Sequence, residues 1–385
     1  MDIRFINSIH HVDPTLWNQL CTQDYPFTRY EFLAALEDTG CTSVTSGWEI
    51  AHLVIYENDC LIAAMPGYVK KHSYGEYVFD WAWADAYRRY GLQYYPKWIN
   101  AIPFTPCTGP RLLTGATEIS TELIIEICQA LKNQCELHKY SGWHCLFPTN
   151  TLSDLLTSFT MQRLGCQFHW FNRNYQNFDD FLAQMSSRKR KNIAKERRSV
   201  SEQGIGFAIK ESSAISVTDM DLFYSLYRNT YLKRSGHAGY LTQAFFQQLL
   251  KTCGDSLVLV CAVEKSDDFT NVIAAALFFR DSHTLYGRYW GCFEEYQFLH
   301  FETCYYQGID YAIKHKLQRF DGGAQGEHKI SRGFEPVITY SNHHLSSSDF
   351  HSPIARFLQE EREAIQQYAE DARELLPFKN SIYLD

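Results

Sequence analysis

The stretch LVLVCAVEKSDDFTNVIAAALFFRDSHTLYGRYW, residues 257–290, contains three apolar runs rich in β-branched and aromatic residues. The runs at 257–263, 272–279 and 284–290 have the length and composition of strands, and the segments between them, SDDFTN and DSH, have the composition of turns. Connections this short join neighbouring antiparallel strands. The stretch therefore predicts a three-stranded antiparallel meander.

Helical and strand patterns on either side of this stretch extend the prediction. Two helices precede the meander, at 219–233 and 242–253, and a helix at 300–316 follows it with apolar residues on one face. A strand at 319–321, a short helical segment at 326–332 and a strand at 336–340 complete the second half of the chain. This order of elements resembles a GNAT acyltransferase domain.

The first half of the chain shows a similar order of elements. After a helix at 30–37, the predicted elements are strands at 51–56, 61–69 and 76–83, helices at 94–101 and 118–138, a strand at 143–147, a helix at 152–164 and a strand at 166–171. We therefore predict an α/β fold with mixed sheets, built from two tandem GNAT-like units at 1–172 and 173–385. A basic helix at 186–203 lies in the second unit, and a C-terminal helix at 352–375 is expected to pack across both.

Composition limits the class of protein. The 385 residues are 45% hydrophobic and 21% charged, which is typical of a folded globular chain with room for two domains. The sequence starts without the basic and apolar regions of a signal peptide, and its apolar runs are too short to span a membrane, so we expect a cytoplasmic protein without membrane insertion. The net charge of −8 argues against DNA binding. Neither a zinc-type Cys or His spacing nor a P-loop occurs, so no metal is expected.

Short motifs throughout the chain resemble the FemAB-like N-acyltransferase family (peptidoglycan biosynthesis/recognition, DUF482-type). The motifs are HSYGEYVFD at 72–80, YYPK at 94–97, PFTP at 103–106, TGPR at 108–111, RKNI at 190–193, YGRYWG at 286–291, HFE at 300–302 and GGAQGEHK at 322–329. The family is similar to Fem transferases, which use aminoacyl-tRNA to add amino acids to a peptidoglycan precursor. The resemblance implies an enzyme that transfers an acyl or aminoacyl group to an amine of a small anionic acceptor.

The segment DGGAQGEHKISRGF at 321–334 is the densest group of reactive side chains. Its glycines allow a ligand to approach the backbone closely, and ligands of α/β folds gather at strand ends. We assign His328 as a candidate general base, Glu302 or Glu327 as the carboxylate that orients it, and Lys329 or Arg332 as a cation for a carboxylate, phosphate or oxyanion. A solvated loop and a helix-capping Glu302 are the structural alternatives.

Further candidate residues for substrate binding surround this segment. Arg288 lies between aromatic residues on a predicted strand, where a buried guanidinium needs an anion. The substrate-binding candidates are Arg288, Tyr289, Trp290, Gln325, Glu327, Arg332 and Arg111.

Donor binding has two candidate surfaces. Residues 188–198, RKRKNIAKERR, carry seven cations and one Glu, a local charge of +6, and we predict that Arg190, Lys191, Lys195 and Arg198 bind a polyanion such as tRNA. In the first unit, Arg88, Arg89 and Gly91 partly fit the GNAT pyrophosphate-binding pattern and are the candidate cofactor-binding residues. The donor, acyl-CoA or aminoacyl-tRNA, stays open, as does the oligomeric state.

Two other functions also remain open from the sequence. The chain is a conventional acyl-CoA-dependent N-acetyltransferase if the residues at 88–91 hold CoA. It is a catalytically silent GNAT-fold binding protein if neither unit is active.

Overall fold

The computed structural model describes residues 1–21, 24–265, 270–324 and 326–379. The chain divides into two compact units, one formed by 1–166 and 338–367, the other by 167–337 and 368–385. This division differs from the tandem prediction because residues 338–367 belong to the first unit instead of the second. The predicted organisation as two units at 1–172 and 173–385 stays a prediction.

The first unit contains most of the following elements: β1 (Asp2–Ile6), α1 (Pro14–Gln19), α2 (Tyr30–Asp38), β2 (Trp48–Ile50), β3 (His52–Glu57), β4 (Cys60–Met65), β5 (Gly67–Lys70), α3 (Trp81–Arg89), β6 (Lys97–Asn100), α4 (Thr121–His138), β7 (Gly142–Leu146), α5 (Asn150–Leu156) and β8 (Met161–Phe171).

Several predictions for the first unit are wrong. The strand predicted at 61–69 is the two strands β4 and β5, and the helix predicted at 152–164 ends at Leu156, with β8 beginning at Met161. The third meander strand, predicted at 76–83, is a loop that leads into α3, and the helix predicted at 94–101 is the strand β6. The hairpin of β3 and β4 is confirmed. Its two-residue turn has Asn58 and Asp59 at positive φ, which suits the twist of an antiparallel hairpin.

The strands of the first unit pair in two groups. β1, β3 and β4 form a three-stranded antiparallel sheet. In the other group β5 pairs antiparallel with β2 and β6, and β6 runs parallel to β7. Helix α4 buries its apolar face, including Ile127 and Leu131, against Trp98 and Trp143 of this second group.

The second unit contains most of the remaining elements: α6 (Phe178–Ala183), α7 (Ser187–Glu202), β9 (Ile205–Glu211), α8 (Val217–Ser235), α9 (Gln243–Cys253), β10 (Leu257–Lys265), β11 (Thr270–Arg280), β12 (Thr284–Cys292), α10 (Leu299–Phe301), a π-helical turn (Glu302–Tyr306), α11 (Gln307–Lys314), β13 (Arg319–Asp321), a 3-10 helix (Glu327–Arg332), β14 (Glu335–Leu345) and α12 (His351–Glu374).

The predicted meander of the second unit is confirmed. β9, β10, β11 and β12 pair antiparallel in sequence order, and β13 adds to β12 in parallel register. The pairing places Tyr286 opposite Asp321. Because β13 ends at Asp321, the segment that follows it leaves the sheet beside the middle of β12.

Candidate functional site

The segment after β13 folds as a tight loop and a 3-10 helix. A Cβ on Gly322 would lie 2.9 Å from a ring carbon of Phe334, so this position has no room for a side chain. Gly323 has a φ of +86° and donates its N–H to Oδ1 of Asp321 at 2.9 Å. Gln325, a predicted substrate-binding residue, lies outside the described residues. The two glycines thus let the backbone turn back on the strand end.

The two cations of the segment are buried in the protein. Lys329 is only 1% exposed, and its Nζ donates to the carbonyl of Gly323 at 2.7 Å. Arg332 forms two hydrogen bonds to the Glu196 carboxylate at 2.8 and 2.9 Å and lies 3.5 Å above the ring of Phe301. Through these contacts, Lys329 and Arg332 stabilise the conformation of the loop.

His328 lies on the outer side of the loop. Its ring is exposed, and Nε2 shares a hydrogen bond of 2.9 Å with the hydroxyl of Tyr305. Partial burial and the nearby cations Lys329 and Arg332 lower the pKa of His328 to about 4. The imidazole is therefore neutral at physiological pH and is a weak base.

The carboxylates predicted to orient His328 have other partners. Glu302 is 3% exposed and lies in the π-helical turn, where it accepts from Gln307 at 2.7 Å and pairs with Arg197 at 3.0 Å. Burial raises the pKa of Glu302, and Arg197 opposes the rise. Glu327 accepts a hydrogen bond from Tyr368 at 3.0 Å. Glu302 and Glu327 therefore interact with residues other than His328, although all three residues lie in the same unit.

The three predicted residues of β12 have different surroundings. The pairing of β11 with β12 shifts register between Leu277 and Phe278, so Arg288 lies at a bulge. Burial opposes ionisation of Asp321, but His169, the Gly323 N–H and Arg288 together lower its pKa, which places the Arg288 charge near the loop. Tyr289 packs in the core against the rings of helices α8 and α9, and Trp290 contacts the ring of His300.

Helix α7 presents different residues to the solvent and to the protein. Lys191, Lys195 and Arg198 are exposed, and Arg190 is half-buried. On the inner side, Glu196 accepts from Arg332 and from the hydroxyl of Tyr306. The helix therefore joins an outward cationic face to the loop after β13.

The candidates of the first unit are placed differently from the prediction. Arg88 and Arg89 end helix α3, and Gly91 follows the helix end with a φ of +73°. The GNAT cradle requires amides at a helix N-terminus, whereas a helix C-terminus presents carbonyls and a partial negative charge. The expected turn after a third strand is wrong, so this cofactor assignment loses its structural basis.

Arg111 is fully buried in the first unit. Its guanidinium donates to the main-chain carbonyls of Leu146 and Cys107 at 2.7 Å each, and of Pro110 at 3.1 Å. These bonds fix the loop between β6 and α4.

A buried ionic network in the first unit was not predicted as a site. The ammonium of Lys97 donates to Ser73 at 3.0 Å, to Glu76 at 2.8 Å and to Asp80, and all of these residues are buried. Tyr94 donates to Asp80 at 2.6 Å. Every member of this network lies in the motifs HSYGEYVFD and YYPK. The charged residues of these motifs could have indicated a buried network, but a strand was predicted at 76–83 instead.

A second lysine borders the network. Lys70 is the cross-strand partner of Lys97, and its Nζ donates to the carbonyl of Tyr74 at 3.2 Å and lies 3.8 Å above the ring of Trp48. Burial lowers the pKa of Lys70 to about 7. Burial also raises the pKa of Glu76 to about 7, although the positive charge of Lys97 opposes this rise. The pKa values of both side chains therefore lie near neutral pH.

In 1–21, 24–265, 270–324 and 326–379, His, Cys, Asp and Glu side chains form no group of three or more that is suited to a metal ion. No described helix is long and apolar enough to cross a membrane.

Comparisons with known proteins identify the family. The model of the FemAB_like family, described as peptidoglycan biosynthesis/recognition, matches residues 8–380. Comparison with curated proteins gave no match.

Solved structures show similarity of fold at low identity. FemX aligns with a TM-score of 0.54 and 10% identity, over 92% of this chain and 100% of that chain. The C-terminal domain (DUF2156) of a putative lysylphosphatidylglycerol synthetase from Agrobacterium fabrum aligns with a TM-score of 0.53 and 8% identity, over 93% and 98%. A tandem GNAT protein from the clavulanic acid biosynthesis pathway has a TM-score of 0.45 and 7% identity, over 90% and 98%. The family match over residues 8–380 shows that the chain belongs to the FemAB_like family of peptidoglycan biosynthesis/recognition.

Proposed function

We propose that the chain transfers an acyl or aminoacyl group from an activated ester or thioester to the amine of a small anionic acceptor. The amine nitrogen attacks the carbonyl carbon, the bond from that carbon to the leaving oxygen or sulfur breaks, and an amide forms. The amine loses one proton, and the leaving group takes one up.

The proposal rests mainly on helix α7, whose outer face is cationic and exposed and whose inner face forms ion pairs with other residues of the protein. Its exposed cations Lys191, Lys195 and Arg198 offer a surface for phosphates, while Glu196 and Arg197 tie the same helix to Arg332 and Glu302. A donor held on the outer face is thereby linked through one rigid element to the loop after β13. This arrangement favours an aminoacyl-tRNA donor, since a polynucleotide supplies many phosphates to such a face.

The loop after β13 is the proposed wall of the transfer site. Gly322 and Gly323 bring main-chain groups to the strand end without side chains in the way, and Arg288 supplies a cation nearby for an anionic acceptor. His328 is the proposed base, with Tyr305 hydrogen-bonded to its Nε2. Because its pKa is lowered to about 4, most of the rate enhancement would come from positioning and from proton uptake by the leaving group.

An acyl-CoA donor has weaker support. The residues expected to cradle its pyrophosphate, Arg88, Arg89 and Gly91, lie at the C-terminal end of α3, and Arg88 is paired with Asp85 at 2.7 Å. The aminoacyl-tRNA donor is therefore the first choice for the assay.

The donor is tested by a binding and transfer panel. The full chain is mixed with aminoacyl-tRNA, acyl-CoAs, CoA and UDP-linked precursors, and thermal shift and amide product are measured. We expect aminoacyl-tRNA to bind with an affinity that falls steeply with salt. The triple reversal Lys191→Glu, Lys195→Glu, Arg198→Glu should lower that affinity by at least about 10-fold and flatten the salt slope.

A matched control separates this surface from a general charge effect. The control reverses three exposed cations on other helices, Lys132, Arg228 and Lys251, and so changes the net charge equally. It should keep at least about half of the affinity, because surface cations away from the phosphates contribute little. Equal losses in both triple variants, or transfer from acyl-CoA alone, would contradict the aminoacyl-tRNA assignment.

A further inference from the structure

The second unit contains an open cavity of about 730 Å³ at the start of β13. Its lining comes from the segment between β8 and α6, from helix α11, and from the loop that joins α11 to β13. Its volume lies within the range of about 300–1,000 Å³ that is typical of small-molecule sites. The proposed wall of the transfer site follows β13, so the cavity lies at the opposite end of that strand.

The floor of the cavity is apolar and fixed in place. Tyr175, Phe178, Ile313 and Leu317 line the cavity and are buried. Asn172 joins the two loops beside this floor, since its side chain accepts from the N–H of Tyr175 at 3.0 Å and donates to the carbonyl of Leu317 at 3.0 Å. The cavity is therefore preformed, which reduces the entropy that is lost when a ligand binds.

The rim of the cavity consists of exposed amide side chains. Asn174, Gln176, Asn177 and Gln318 line the cavity and are exposed to solvent. In the described part of the chain, the side chains of Asn174 and Gln318 have no hydrogen-bond partner. Gln176 uses only its amide nitrogen, which donates to the carbonyl of Asn174 at 3.0 Å, and Asn177 uses only its oxygen, which accepts from the N–H of Asp180 at 2.9 Å. The rim therefore offers both donors and acceptors to a ligand.

We propose that this cavity binds a neutral monosaccharide or disaccharide. The hydroxyl groups of the sugar would contact the amides of the rim, and the C–H groups of its ring would pack on the apolar floor. A hydroxyl group both donates and accepts hydrogen bonds, as an amide group does, so a ring of hydroxyls matches this rim. The site lies within the second unit and does not depend on the transfer reaction.

The charges at the cavity favour a neutral ligand over an anion. Lys314 and Lys316 are exposed lining residues, and Asp310 is a half-buried one. Asp310 is paired with Arg197 at 2.7 Å, and the carboxylate of Asp180 accepts from a main-chain N–H of the rim at 3.1 Å. These three cations and two carboxylates nearly cancel. The lysines are therefore available as donors to hydroxyl oxygens, and Asp310 as an acceptor, without a strong net charge that selects a phosphate.

Saturation-transfer difference NMR on the full chain tests this proposal, with glucose, galactose, mannose, maltose and cellobiose as probes. At least one of these sugars should bind roughly 10-fold more tightly than sorbitol, an open-chain polyol, because a sugar ring is already ordered and loses less conformational freedom on binding. Inorganic phosphate and AMP, each added at the concentration of the sugar, should leave the sugar bound.

Two variants with matched controls locate the site. Asn174→Gly removes a rim amide at a φ of +61°, which glycine adopts readily, and Gln318→Ala removes the other free amide of the rim. Each should weaken sugar binding by roughly 3-fold to 10-fold, the usual loss for one hydrogen bond. Asn58→Gly, at a φ of +49° in the turn between β3 and β4, and Gln129→Ala, on the exposed face of α4, should leave sugar binding unchanged.

The proposal is overturned if no sugar of the panel binds more tightly than sorbitol. Displacement of the sugar by phosphate or AMP would also overturn it, since the cavity would then be an anion or nucleotide site. So would equal sugar binding by Asn174→Gly, Gln318→Ala and the two controls. The triple reversal on α7 should bind the sugar like the unmodified protein, so failure of this proposal is distinguishable from failure of the proposed function.

Discussion

Replacing Glu76 by Gln should change the pH dependence of stability in a direction that the buried network dictates. In the folded protein Glu76 lies against Lys97, and Asp80 and Lys70 act on it as further charges. Burial raises its pKa from 4.5 to about 7 despite Lys97. At pH 5 the side chain is protonated and close in shape to Gln, so the substitution should have little effect there.

The size of the effect follows from the two pKa values. Since the folded state binds the proton more tightly than the unfolded state, the contribution of Glu76 to stability is present below pH 4.5 and is lost as the pH rises to about 7. A rise from 4.5 to about 7 corresponds to roughly 3 kcal/mol. Gln does not titrate, so the variant should gain roughly 3 kcal/mol relative to the unmodified protein between pH 5 and pH 8.

Urea unfolding at several pH values measures this difference. Both proteins are unfolded between pH 5 and pH 8, and Glu126→Gln serves as the control for loss of an exposed carboxylate. Lys70 titrates in the opposite sense above pH 7, where its lowered pKa makes stability rise with pH. Because the Glu76 charge raises the pKa of Lys70, the substitution also changes this contribution, and the comparison is therefore read mainly below pH 7. A difference that stays constant within about 0.5 kcal/mol, or one that falls with pH, would refute the account of Glu76.

Three shorter predictions concern the other sites. Arg332→Met should destabilise the protein by about 2–4 kcal/mol because it leaves the Glu196 carboxylate without its guanidinium partner, and Glu196→Gln in the same chain should recover at least about half of that loss in a double-mutant cycle followed by urea unfolding. His328→Ala should lower the rate of product formation in the transfer assay by roughly 10²-fold if the imidazole takes the proton, and a decrease below about 3-fold would exclude that role. Arg288→Ala should raise KM for the anionic acceptor with little change in kcat, which steady-state kinetics over a range of acceptor concentrations would show; an equal fall in kcat would place Arg288 in the chemical step instead.

The meander of the second unit was predictable because its signal is local. Each of the runs at 257–263, 272–279 and 284–290 is apolar over strand length and is bounded by turn residues. Helix α7 was predictable for a similar reason, since its basic run contains neither Pro nor Gly. The motifs that resemble the FemAB-like family predicted the family from the sequence alone.

The first unit was harder to predict because its elements lack a clear period. β6 is a four-residue strand with every residue buried, so it shows no alternation of polar and apolar positions. Residues 76–83 are rich in aromatic residues and were predicted as a strand, but Glu76 and Asp80 turn inward to Lys97 and α3 begins at Trp81.

The sequence by itself determined the family, the class of fold, the meander of the second unit and the glycine-rich segment at a strand end. Only the tertiary structure decided which charges are available to a ligand. Arg332 is paired with Glu196, 136 residues away, and Lys97 with Glu76, 21 residues away. The sequence alone does not show whether a charged side chain is exposed to water or engaged in an ion pair. Its protonation and its partners depend on desolvation by segments that are distant in the chain, and those segments meet only in the folded protein.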